Sequence, residues 1–418
     1  MNETYLIRVS GVAAGLLTDY GGHTSFQLLD AYRRNGDRPL LGQAFEDDPG
    51  RVWRHNNRVP AWFANLLPEG ELRGFLARQL GVSERRDAPF LAAIGSDLPG
   101  AATVEPYSGE VDFDADIPEA EPVPHAGDPT GVRFSVAGYQ LKLSMLRNGK
   151  RGLTLPGRGE LGNYIVKLPS PQFPDVPANE FVMMSWAARI GVEVPEVMLV
   201  DLDALDLPPG LGKFKERSAY AIRRFDRADG DRRIHMEDFN QVLAQWPHQK
   251  YEGSSYESLA ALVLATTGST EALKEFVRRL VFIIAIGNED AHLKNWSLLY
   301  LNGRTATLSP AYDLVSTISY EGLARGLGLS LDRNRSFDKI SRNSFVRMAK
   351  RIDLTPDLLL EVVDATVDVI RGTLDEFAPG LRERESALRD HLARVPLFSA
   401  PQSDYVGSRT TPSANDRS

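Results

Sequence analysis

The chain has 418 residues, 42% hydrophobic and 25% charged, with a formal net charge of −8. That length supports two or three subdomains with substantial cores, while the acidity argues against a chain that by itself binds nucleic acid nonspecifically. The absence of cysteine excludes disulfides and thiolate metal sites and suits a cytoplasmic location. The start, Met1-Asn2-Glu3-Thr4, lacks the basic and apolar regions of a signal peptide. The longest apolar run, Leu280 to Ile286, is far too short to span a membrane.

Residues 1–106 read as a small α+β unit. Tyr5 to Val9 and Thr24 to Leu28 have strand character, with Gly11 and Gly21-Gly22 as turns between them. Leu72, Phe75, Leu76 and Leu80 recur at helical spacing over 71–80, and Gly81 supplies a stop. In 107–130, Glu110, Asp112, Asp114, Asp116, Glu119, Glu121 and Asp128 stand among prolines with no Lys or Arg. Such a stretch has too little apolar content to offset chain entropy, so it reads as a solvated linker.

Over 131–228 the chain alternates strand, loop and helix. Arg133 to Leu143 is strand-like around Ala137-Gly138, a pair that either bends a hairpin or lets backbone N–H groups approach a phosphate. No Walker A loop is present near it. Asn163 to Pro169 is an apolar strand containing Lys167, whose ammonium must either snorkel to water or meet an anion. The next helix runs from Pro177 to Ile190 and places Glu180 in its first turn, where the carboxylate suits the helix dipole and also suits Lys167. Strands over Pro195 to Val200 and Arg217 to Arg227 follow. Taken together, this order is that of a kinase N-lobe.

Residues 229–400 turn helical. Leu273, Phe276, Val277, Leu280, Val281 and Ile284 form the apolar face of a helix over 271–286 that Gly287 ends, delivering Asp290 just beyond it. Asn302-Gly303 predicts a two-residue hairpin turn that pairs Leu301 with Arg304, sets Asn295 opposite Pro310 and brings Asp313 to the same end. Asp290, Asn295 and Asp313 are either polar turn residues or the parts of a phosphoryl-transfer site, with one carboxylate as base and the Asn and second carboxylate holding Mg²⁺. Helices follow over 355–374 and 381–395, and 401–418 reads as a disordered tail.

In this order the motifs resemble the HipA-type serine/threonine kinases, the toxin half of bacterial toxin–antitoxin pairs. The resemblance rests on Ser135 to Lys142, Ile165 to Pro169, Asn179-Glu180, Arg224 to Arg227, Gly287 to Ser297 and Pro310 to Leu314. Asn65 to Glu69 and Ile94 to Ala101 extend it to the N-terminal unit. It implies an α+β, bilobal protein-kinase-like fold with a small N-terminal α+β subdomain and a mainly helical C-lobe. By the same resemblance Asp290 is the general base, and Asn295 and Asp313 hold Mg²⁺. Lys167 meets the ATP phosphates beneath a loop of Ala137, Gly138, Tyr139, Gln140, Leu141 and Lys142. Arg223, Arg224 and Phe225 form the hinge beside the adenine, with His292, Leu293, Lys294 and Tyr312 as further ATP contacts. Ser135 aligns with a site of inhibitory autophosphorylation.

The implied partners are a small helix-turn-helix antitoxin, through which alone the chain would meet DNA, and a translation-related protein substrate such as an aminoacyl-tRNA synthetase. The chain departs from ordinary kinases in carrying Gly287-Asn288-Glu289 where H-R-D would end in the base, and Leu314-Val315 after Asp313. Arg223 also stands where an acidic hinge residue is expected. Glu289 either raises the pKa of Asp290 by repulsion or points to solvent. Two other functions share the pattern: a small-molecule phosphotransferase, separated by its acceptor, and a catalytically silent co-repressor, which the intact Lys167, Asp290, Asn295 and Asp313 weigh against.

Overall fold

The computed structural model describes residues 2–114, 117, 141–147, 153–156, 161–207, 214–228, 232–318, 320 and 326–399. The expected tail and most of the expected linker therefore lie outside the described residues. Among the described residues, three antiparallel sheets set the frame. The first contains β1 (Glu3–Val9), β2 (Val12–Asp19), β3 (His23–Leu28), β4 (Trp53–Asn56) and β5 (Ala102–Pro106), in the order β4-β3-β2-β1-β5. Strand β2 was not anticipated from sequence. Its Val12-Ala13-Ala14-Gly15 start has weak strand propensity, and pairing with β1 and β3 overrides it. Gly15 is needed there, because a Cβ would lie 2.6 Å from the Phe26 ring. The helix expected over 71–80 spans Gly70–Leu80 and ends at Gly81, whose φ of 64° is left-handed.

The second sheet comprises β6 (Lys142–Arg147), β7 (Leu153–Thr154), β8 (Tyr164–Lys167), β9 (Val197–Asp201) and β10 (Ser218–Arg223), ordered β7-β6-β8-β10-β9. Both of its faces are covered, so its residues sort by alternation into two cores. Leu143, Met145, Val166, Ala219 and Ala221 join the core of the N-terminal unit. Tyr220 and Ile222 face the opposite way, into the core shared with helix Val176–Arg189 and the C-terminal helices. Trp186 of that helix donates from Nε1 to Thr373 Oγ1 at 2.7 Å and stacks on Phe377. This fixes the helix to the C-lobe helix Pro356–Phe377.

Two of the buried contacts that tie the N-terminal unit to the rest show how. Strand β10 stops at Arg223, short of the expected Arg227, because the next residues turn into an ion network. Arg224 bonds Asp97 at 3.0 Å and Asp226 at 2.8 Å, and Arg227 bonds the same two carboxylates at 2.8 and 2.7 Å. The second contact is Glu237 on β11 (His235–Asp238). It accepts from Trp62 Nε1 at 2.7 Å, Tyr300 Oη at 2.7 Å and the Gln43 N–H at 3.1 Å, while burial pushes its carboxyl up to about 7. No helix among the described residues is long and apolar enough to cross a membrane.

Candidate active site

The cleft between the second sheet and the helical lobe has a volume of about 810 Å³. On its upper wall, Lys142 of β6 sits directly opposite Lys167 of β8 in the sheet register. Lys167 donates to Glu180 Oε1 at 2.5 Å and also bonds Asp313. The helix bearing Glu180 begins at Val176, one residue earlier than expected, so this carboxylate is its fifth residue, past the first turn, and does not cap the helix. It is 1% exposed, and burial pushes its pKa up to about 7, which Lys167 only partly offsets. Burial also opposes the Lys167 charge, but Asp313 and Glu180 outweigh it and hold the ammonium protonated. For Lys142, burial wins and its pKa falls.

The lower wall grows out of helix Thr270–Ala285, which presents its buried stripe to the core. Gly287 closes it with a φ of 60°, where a Cβ would lie 2.7 Å from Ile318 Cβ. Asn288 then organises the loop in two directions. Its Oδ1 accepts the Asp290 N–H at 3.0 Å, and its Nδ2 donates to the Asp313 carbonyl at 3.2 Å. The strands that follow are β12 (Ser297–Tyr300) and β13 (Ala306–Leu308). They pair Leu298 with Leu308 and Tyr300 with Ala306, one residue away from the expected register. The connection is longer than two residues because Asn302 Oδ1 accepts both the Arg304 and Thr305 N–H groups. Asn295 and Asp313 nevertheless both line the cleft.

Asp290 bonds the Tyr251 hydroxyl, and Tyr251 packs edge-on to His292. Some 60% of the Asp290 side chain is accessible, but it opens into the cleft. The surrounding walls thin its hydration and raise its pKa, while Tyr251 and Lys250 oppose that rise. Repulsion from Glu289 is not the cause, since Glu289 Oε1 turns away to accept the Gly326 N–H at 3.1 Å. Asp313 behaves oppositely. Burial favours its neutral form, but Lys142 and Lys167 hold the carboxylate ionised, well below the usual range.

The remaining expected nucleotide contacts divide by where their side chains point. Phe225 and Tyr312 form an aromatic pair with centroids 5.6 Å apart, and Tyr312 Oη donates to the Lys294 carbonyl at 2.9 Å. Arg223 and His292 also line the cleft. Burial and the nearby Lys250 and Lys294 keep His292 neutral. Arg224 also lines the cleft, but its side chain is buried and its guanidinium is committed to two carboxylates. Leu293 is wholly buried in the C-lobe core, and neither it nor Leu141 is on the cleft wall. Ser135, Ala137, Gly138, Tyr139 and Gln140 lie outside the described residues.

Sequence reasoning gave no role to Asn65, Glu69, Asp238, Lys250 or Tyr251, which also line the cleft. Asn65 to Glu69 was visible only as a motif. Nothing local in it signals that Lys294, 225 positions away, donates to Glu69 Oε1 at 2.6 Å.

The residues present fit a nucleotide-bound divalent cation. Asn295 Oδ1 is buried without a hydrogen-bond partner, and Asp313 is held ionised in the same cleft. Among the described residues no three His, Cys, Asp or Glu side chains form a metal cage. One amide and one carboxylate suit Mg²⁺, which takes its other ligands from phosphate and water.

Residues 134–374 match the HipA-like C-terminal domain, and residues 5–105 match the HipA N-terminal domain. The chain belongs to the HipA family. It is 42% identical over 374 residues to a Sinorhizobium fredii protein named "Putative kinase Y4dM", covering 88% of this chain and 90% of that one. It is also 28% identical to the serine/threonine-protein kinase toxin HipA of Shewanella oneidensis, covering 80% and 82%. A solved structure of the Shewanella oneidensis toxin–antitoxin complex of HipA, HipB and operator DNA superposes with a TM-score of 0.69. That match is 22% identical and covers 94% of this chain and 95% of that one. The α+β kinase-like fold of this HipA-family chain is therefore the fold of its family.

Proposed function

We propose that this HipA-family chain is an ATP- and Mg²⁺-dependent protein serine/threonine kinase acting as the toxin of a toxin–antitoxin pair. The observation that carries the proposal is convergence: Lys167 with its Glu180 partner, Asp290, Asn295 and Asp313 all line one cleft, though drawn from both lobes. Lys142 and Lys167 supply positive charge for phosphates, and Phe225 with Tyr312 offers an apolar wall for adenine. Asp290 has a raised pKa and accepts a hydroxyl from Tyr251, so it is suited to take the proton of an acceptor alcohol. Asn295 and Asp313 would hold Mg²⁺, which supplies charge neutralisation at the transferring phosphoryl group.

The proposed partner is a small helix-turn-helix antitoxin that carries the DNA contact and represses the operon. The net charge of −8 supports assigning the DNA contact to a partner, and the Shewanella complex pairs HipA with HipB on operator DNA. The proposed substrate is a translation-related protein such as an aminoacyl-tRNA synthetase, on the family resemblance. Ser135 is proposed as an inhibitory acceptor, because a dianion in a phosphate-binding loop would repel ATP. Phosphopeptide mapping after incubation with Mg²⁺-ATP should find Ser135 modified, and an unmodified Ser135 would end that part of the proposal.

Calorimetry of ATP binding tests the site. Mg²⁺ should tighten ATP binding to the wild type, and Asp313→Ala should remove at least roughly tenfold of that gain, the scale on which even outer-shell partners of a metal act. Undiminished Mg²⁺ dependence in Asp313→Ala would exclude Asp313 as a ligand.

A further inference from the structure

Glu69 lines the cleft assigned above to a nucleotide, and it comes from the N-terminal unit rather than either lobe. It stands immediately before helix Gly70–Leu80. Its Oε1 is 2.6 Å from Lys294 Nζ and its Oε2 is 3.7 Å from Lys250 Nζ. Lys294 is further held by the Asn65 carbonyl at 3.1 Å, and Lys250 is joined to the catalytic loop through its carbonyl, which accepts the Leu293 N–H at 3.1 Å. All four of these charged and polar residues line the cleft, together with Lys142 and Lys167. The Glu69 carboxylate is 18% exposed and the Lys294 side chain 8%, so their interaction is little screened by water.

We propose that Glu69 is a resident competitor for the cleft cations, through which the N-terminal unit sets nucleotide affinity. While Glu69 neutralises Lys294 and Lys250, a nucleoside polyphosphate meets less positive charge and a nearby carboxylate as well. Removing that carboxylate leaves more of the Lys294 and Lys250 charge to the ligand, while the Asn65 carbonyl still holds Lys294. The inference rests on the nucleotide-binding reading above and deepens it. If Glu69 were only a strut between units, its loss would leave affinity unchanged or weaken it. The competitor role gives the opposite sign.

The test is calorimetric titration of ADP, with saturating Mg²⁺, into wild-type protein and Glu69→Gln, which keeps size and hydrogen bonding but loses the charge. Glu69→Gln should bind ADP roughly 3- to 30-fold more tightly, with a gain that shrinks at high salt. In a Lys294→Gln background the same change should gain less. If Glu69→Gln fails to fold, Glu69→Asp withdraws the carboxylate from Lys294 and should shift affinity in the same direction. A folded variant that binds ADP no more tightly than wild type overturns the competitor role. A wild type that binds no ADP overturns the nucleotide reading, and this inference with it.

Discussion

Asp290→Asn should lose phosphoryl transfer while keeping ATP affinity near wild type. Asn matches Asp in shape and can still accept the Tyr251 hydroxyl, so the loop held by Asn288 has no reason to move. What it cannot do is take a proton from an attacking alcohol. Positioned general bases contribute on the order of 10²–10⁴-fold, and a loss of that size in single-turnover transfer is the expected result. Binding should survive because the groups suited to phosphates and metal are Lys142, Lys167, Asn295 and Asp313. The base acts in its ionised form and its pKa is raised above the ordinary 3.8. The wild-type transfer rate should therefore rise with pH through an apparent value above 3.8 and then level off. Transfer at the wild-type rate by Asp290→Asn would remove Asp290 from the role of base.

Asp226→Ala should destabilise the protein by about 3–5 kcal/mol, the usual cost of removing one partner of a buried ion pair. The Asp226 carboxylate accepts from Arg224 Nε at 3.0 Å, Arg224 Nη2 at 2.8 Å, Arg227 Nη1 at 2.7 Å and the Gly100 N–H at 2.8 Å. Without it, Asp97 is left to face the guanidiniums of Arg224 and Arg227, whose side chains are 1% and 3% exposed. Burial would raise the Asp226 pKa, but Arg224 and Arg227 reverse this and hold it far below the ordinary 3.8. A carboxylate depressed by folding stabilises above its unfolded pKa and loses that contribution as pH falls through its folded one. The difference between wild type and Asp226→Ala should thus be full at neutral pH and shrink only in strong acid. Urea unfolding at pH 7 measures it, and a midpoint equal to wild type would show that the network adds no stability. The network also fixes the segment after β10 to the N-terminal unit, so the variant should loosen the region expected to hold adenine.

Much of this was legible in the chain because the signals were local. Gly287 after an apolar helical stripe, Gly81 after another, and Lys167 inside an apolar strand each carried their own physical reason. The Asn302-Gly303 turn was recognised, but its register was missed by one residue because the Asn302 side chain captures two N–H groups and lengthens the loop. Strand β2 was hidden because pairing on both edges supplies what Ala13, Ala14 and Gly15 lack in propensity. The contacts that bind the N-terminal unit to the cleft were least visible. Glu69 with Lys294, Asp97 with Arg224, and Trp62 with Glu237 join residues more than a hundred positions apart, and no spacing rule reports such pairs. Arg224 shows the same limit, since its place in a motif suggested a hinge residue while its guanidinium is spent on structure.

The most direct test of the central claim is transfer of label from radiolabelled ATP to protein in a cell extract, with Mg²⁺ and either wild-type protein or Asp290→Asn. Label on serine or threonine of a protein with wild type, and none with Asp290→Asn, is the predicted result. Label that is absent from protein, or equal in the two reactions, would contradict a protein kinase centred on Asp290.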